Sequence, residues 1–75
     1  MLEQIKKILV DTANVDAEKV TKSASLKDDL GIDSLDSVEM ILELENHFDI
    51  KLEDSEIEKL ITVGDVVDLV SAKVM

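Results

Sequence analysis

The chain has 75 residues, enough for one small domain over 1–75, and folding at this length buries about 60–65% of the unfolded surface, which disfavours an enclosed active site with supporting layers. Hydrophobic residues make up 45% and charged residues 35%, a balance that suits a folded amphipathic domain, and the absence of cysteine excludes disulfides, thiolate zinc sites and thiol nucleophiles. A net charge of −10, from 18 acids against eight lysines, repels phosphate backbones and anionic membranes and attracts basic protein surfaces.

Leu2, Ile5, Ile8, Leu9 and Thr12 fall on one helical stripe with Glu3, Gln4, Lys7 and Asp11 opposite, so the chain opens with an amphipathic helix that ends near Ala13 or Asn14. Its mixed charges rule out a signal-peptide stretch, and no later run reaches the length of a membrane span. A cytoplasmic, monomeric protein that neither inserts stably into membranes nor binds nucleic acid is the expectation. From Val15 to Asp33 the period is lost, giving a long loop of the kind that carries function or a short turn of its own; Val15, Val20, Leu26, Leu30 and Ile32 are placed to pin it to the core.

A second helix begins at Asp33 or Ser34, either of which can cap it, and runs to about Asp49. Asp54 or Ser55 can cap a brief third helix through Glu56, Ile57, Glu58, Lys59 and Leu60. Thr62 stands three residues before Asp65, a capping box with Asp in place of Glu, and opens a last helix that turns Val63, Val66, Val67, Val70 and Val74 inward. Valine favours strands, but spacings of three and four persist to Val74 and no second strand is available to pair with it. The predicted fold is all-α: a bundle of three longer helices and one short one, with the long loop between the first two.

At about 100° per residue the apolar positions of the second helix form two groups. Met40, Ile41, Leu44 and Phe48 make one stripe, suited to a core. Leu35, Val38 and Leu42 make another on a different side, bordered by Asp36, Glu39, Glu43, Glu45 and Asp49. An apolar strip framed by acids suits docking to a surface with a greasy centre and a basic rim; the competing reading is the edge of the core beside a solvated face.

Ser34 is the nucleophile candidate with a distinctive setting, at the junction of the long loop and the positive end of the second helix, where backbone N–H groups favour a phosphate ester. Asp33 and Asp36 would repel such an ester, and Ser in Asp-Ser-Leu also reads as a plain N-cap. The sole histidine, His47, lies 13 residues away, about 20 Å along one helix, so no hydrolase triad forms. Asp28, Asp29, Asp33 and Asp36 lack the spacing of a calcium loop, and no metal site is assigned.

Gly31-Ile32-Asp33-Ser34-Leu35-Asp36-Ser37-Val38-Glu39, followed by an acidic helix, resembles the acyl carrier proteins. Leu26-Lys27-Asp28-Asp29-Leu30-Gly31, Leu44-Glu45-Asn46-His47-Phe48 and Thr62-Val63-Gly64-Asp65 extend the likeness along the whole chain. The resemblance implies a carrier and not a catalyst. Ser34 would be esterified with phosphopantetheine from coenzyme A by a phosphopantetheinyl transferase, and the arm's thiol would hold acyl chains as thioesters for fatty acid synthesis enzymes with basic docking surfaces. Asp33 and Asp36 would help the transferase bind. The implied partner surface comprises Leu35, Val38 and Leu42 with Asp36, Glu39 and Glu45. Shelter of the acyl chain between the helices is also implied, and an interior of Leu, Ile, Val, Met and one Phe is soft enough for it.

Asp49 stands where Gly is frequent in that family, Glu53 where Pro is frequent and Asn46 where another acid is usual. These departures bear on which partners bind well, not on attachment of the arm. A specialised carrier for aminoacyl or polyketide intermediates and an unmodified acidic interaction module are the alternatives.

Overall fold

A computed structural model describes residues 1–74. The described residues form four helices, α1 (Leu2–Ala13), α2 (Ser34–Phe48), α3 (Asp54–Ile57) and α4 (Val63–Val74), with one 3₁₀ turn at Ala17–Lys19. No strand forms among them; a lone antiparallel bridge pairs Ser25 with Thr62. The all-α expectation holds, and no described helix is long and apolar enough to cross a membrane.

α1 buries Ile5, Ile8 and Leu9 and packs mainly on α2, which contributes Met40, Ile41 and Leu44. Val63, Val66, Val67 and Val70 of α4 complete the core from the other side. Val74 does not join them: it is exposed at the last turn of α4, past the end of the core the helix covers. Asn14 stops α1 in the left-handed region at φ 54°, a conformation Asn tolerates better than most residues.

The long loop is pinned as expected, with Val20, Leu26, Leu30 and Ile32 buried and Val15 packed against the core. Hydrogen bonds shape its second half. The Ser25 amide donates to the Asp29 carboxylate at 2.6 Å, the Asp28 amide donates to Ser25 Oγ at 3.1 Å, and Ile32 N–H closes the turn on the Leu26 carbonyl at 2.9 Å. Gly31 takes φ 66° within it, where a side chain would be strained. The middle of the loop, Lys22 to Leu26, clips onto the chain entering α4: Val63 N–H donates to the Ala24 carbonyl, Gly64 N–H to that of Lys22 and Leu26 N–H to that of Ile61, all within 3.0 Å. These long-range bonds deliver the chain to α2 at a fixed place.

α3 differs from expectation at both ends. Its N-cap is Glu53, not Asp54 or Ser55, because Glu56 reaches back to accept from the Glu53 amide at 3.0 Å. It stops at Ile57, and the backbone then tightens into three-residue turns, Lys59 N–H to Glu56 and Leu60 N–H to Ile57. The predicted box before α4 forms in full: Asp65 N–H donates to Thr62 Oγ1 at 3.2 Å, and the Thr62 and Ile61 amides both donate to Asp65 Oδ2 at 3.0 Å.

Candidate functional site

The choice between Asp33 and Ser34 as the cap of α2 is settled by geometry. Asp33 is extended, at φ −89° and ψ −175°, and its Oδ1 accepts from the Asp36 amide at 2.9 Å. Ser34 is therefore the first helical residue, held by a regular backbone, and its exposed hydroxyl is left out of the cap. The plain N-cap reading of Ser34 is thereby removed.

Two grooves meet at this serine. One, about 530 Å³, runs between α2 and α3, with Ser34, Ser37, Val38, Ile41, Leu42 and Glu45 on one side and Leu52, Asp54 and Ile57 on the other. The second, about 430 Å³, lies toward the long loop and is bounded by Ser25, Leu26, Lys27, Asp28, Ile32, Asp33, Leu60 and Ile61 as well as Ser34 and Ser37. The first is the more apolar of the two. It opens to solvent beside the core.

The two stripes of α2 separate as the spacing predicts. Met40, Ile41 and Leu44 are buried and Phe48 is half-buried, whereas Leu35, Val38 and Leu42 are 73%, 57% and 54% exposed. Exposure of that extent on three large apolar side chains of one helix removes the core-edge reading. Glu39 and Glu43 are exposed beside the stripe and Asp36 is half-buried. Glu45 has a second task, since its Oε2 accepts from the Leu52 amide at 2.9 Å and ties the loop after α2 back to the helix. Val38 and Leu42 belong both to the exposed stripe and to the lip of the α2–α3 groove, so a protein seated on the stripe also bears on the groove.

His47 lies at the far end of α2, exposed, with its ring edge-to-face on Phe48 at 4.8 Å between centroids, and takes no part in the site. No cluster of potential metal ligands exists among the described residues. Ser37, Lys27, Ile61, Leu52 and Ile57 are site residues that sequence reasoning missed. Ser37 was within reach, because a position three after Ser34 shares its helix face. The other four are brought to the site by tertiary contacts and carry no local signal.

An outward serine on a rigid first turn, at the meeting of two grooves and beside an acid-framed apolar stripe, suits a tethered group that other proteins must reach. Such a molecule is a carrier, and comparison with known proteins agrees. Residues 3–70 match the phosphopantetheine attachment site family, and the chain belongs to that family. The fold is similar to that of an acyl carrier protein from Thermotoga maritima, with a TM-score of 0.82 and 31% sequence identity over 95% of this chain and 82% of that one. The chain is thus a non-catalytic carrier of the acyl carrier type whose cofactor is phosphopantetheine, with a phosphopantetheinyl transferase and acyl groups as the partners such a carrier requires. The residues present fit that cofactor: a free, exposed hydroxyl at a fixed position, with grooves large enough to receive a flexible arm.

Proposed function

We propose that Ser34 bears the arm and that the protein delivers growing acyl chains to enzymes of fatty acid or related lipid biosynthesis, as a cytoplasmic monomer. The position of Ser34 carries this reading: first in α2, outside the cap, at the mouth of an apolar groove. When attached, the arm supplies a thiol that this cysteine-free chain lacks and on which acyl groups travel as thioesters. Attachment joins Ser34 Oγ to a phosphorus of coenzyme A, breaks the bond from that phosphorus to the nucleotide portion, and sends the serine proton to a base on the transferase.

The acids of α2 support a docking role. Asp36, Glu39 and Glu43 surround Leu35, Val38 and Leu42, which matches a basic rim around an apolar patch on the transferase and on synthesis enzymes. The apolar lining of the α2–α3 groove favours an aliphatic cargo over an aminoacyl one. A charge of −10 on so small a body opposes self-association.

The test is intact mass before and after incubation with coenzyme A and a phosphopantetheinyl transferase, alongside Ser34→Ala. The parent gains one phosphopantetheine group and the variant gains none. Because Asp33 and not Ser34 makes the cap, the variant keeps the parent's stability to within about 0.5 kcal/mol. Loading of Ser34→Ala, or no loading of the parent where a control carrier loads, overturns the assignment.

A further inference from the structure

We propose that the loop-side groove is the resting seat of the unloaded arm and that Lys27 holds its phosphodiester there; this rests on attachment of the arm at Ser34. The two grooves that meet at Ser34 differ in chemistry. The α2–α3 groove has an aliphatic lining, and its charged members, Glu45 and Asp54, are both acids. A phosphodiester followed by a hydroxyl and two amides is poorly matched to it. The loop-side groove mixes polar and apolar groups, and beside its two acids, Asp28 and Asp33, it contains Lys27, the one cation among the described residues lining either groove.

Charge makes that lysine decisive. A phosphodiester on Ser34 lies beside Asp33 and Asp36, both of the same sign as itself. Lys27 is the group in this neighbourhood able to offset them, and it is free to do so: among the described residues the ion pair that forms is Lys73 with Glu56, at 2.8 Å in another part of the fold.

The walls are built before any arm arrives. Leu26 N–H donates to the Ile61 carbonyl at 2.9 Å, which fastens one wall to the other, and Ile32 N–H donates to the Leu26 carbonyl. The Asp65 carboxylate holds Ile61 from its amide side. A seat fixed in this way costs little ordering when it is filled. Ile61 itself is 65% exposed, an isoleucine left in water on the wall of a groove that starts at the attachment serine. The methyl groups of the arm are an apolar cover of the right kind for it. Lys27 thus acts on the arm as a positioning residue, holding the phosphodiester so that the unloaded arm starts along the loop-side groove.

The experiment compares amide NMR spectra of the unmodified and arm-bearing protein, both checked by mass, for the parent, Lys27→Glu and Lys27→Gln, with the exposed Lys7→Glu as a charge-matched control. In the parent, attachment shifts the amides of Leu26, Lys27, Leu60 and Ile61 as well as those next to Ser34. Lys27→Glu reduces the shifts at Leu26, Leu60 and Ile61 by about threefold or more, Lys27→Gln reduces them less, and Lys7→Glu leaves them unchanged. Salt at about 0.5 M, where the screening length is below ~5 Å, acts in the same direction on the parent. Shifts confined to Asp33–Ser37, shifts directed instead to Leu52 and Ile57, or a pattern that Lys27→Glu does not alter each overturn the seat while leaving the arm on Ser34. Failure of the parent to gain the arm at all overturns the attachment, and the seat with it.

Discussion

Leu42 and Leu44 are two residues apart on α2, one facing out and one facing in, and truncating each to alanine separates docking from folding. Leu44 is fully buried, so Leu44→Ala loses its transfer free energy and leaves a cavity, together about 3–5 kcal/mol. Leu42 is already 54% exposed in the folded protein. Its truncation therefore forfeits roughly half of the ~1.5–3 kcal/mol that full burial provides and opens no enclosed void, for a cost near 1 kcal/mol. A domain of this size has about 4–11 kcal/mol in total, so the first change removes a large share of it and the second a small one. With a urea slope near 1 kcal/mol/M, the midpoint followed by circular dichroism falls by about 3–5 M for Leu44→Ala and by about 1 M for Leu42→Ala. The transferase assay runs the other way: Leu42→Ala, though folded, is loaded more slowly than the parent because an apolar anchor of the docking strip is gone. Equal midpoint shifts would show that the outer stripe is structural. A folded Leu42→Ala loaded at the parent's rate would remove the stripe from the docking surface.

Glu39→Lys, at an exposed position beside the stripe, slows loading by about tenfold at low salt with little change in melting temperature, and added salt narrows the gap; equal rates at low salt contradict the electrostatic account. Bonds from the Thr62 and then the Ile61 amide hold the Asp65 carboxyl below the usual carboxylate range, as the Lys73 ammonium and the Glu53 amide do for Glu56. A lowered folded-state value means stability that is fully present above the unfolded carboxylate pKa, near 4, and lost as pH falls through the lower folded value. The difference in urea midpoint between the parent and Asp65→Asn is therefore present at pH 6 and shrinks in strong acid, and a pH-independent difference would refute this. Asp49 ends α2 in the left-handed region at φ 54°, so Asp49→Gly raises the unfolding free energy by about 0.5–1 kcal/mol; an unchanged or lower midpoint would show that the aspartate's own contacts outweigh its strain.

Local rules made much of this legible. The period of α1, the two stripes of α2 and the Thr62–Asp65 box are each specified within a few residues, and each appears as read. The start of α3 was not, because glutamate is a poor cap and Glu53 succeeds through the reach of Glu56, with Asp54 and Ser55 as better-looking rivals alongside. Inward placement of Val74 failed for a related reason: periodicity says which face a residue lies on, not where the neighbouring core ends. The loop-side groove was out of reach altogether. It exists because the segment around Leu26 bonds to Ile61, thirty-five residues further on, and nothing local to either residue announces that pairing.

The order of Asp33 and Ser34 shows how a common helix start becomes a specific site. A serine at the N-cap would have its oxygen committed to a backbone amide, and its loss would fray the helix. Here the carboxylate one residue earlier takes that amide, and the Asp33 carbonyl accepts from Ser37 N–H at 2.9 Å, so the first turn is closed without the serine. Ser34 gains a fixed backbone and a free hydroxyl together. Its extended neighbour is set in turn by the loop, where Ile32 is buried and bonded to Leu26. Core packing, loop and cap thus converge on a residue that contributes little to stability, so the attachment proposed at Ser34 would leave undisturbed the fold that presents it.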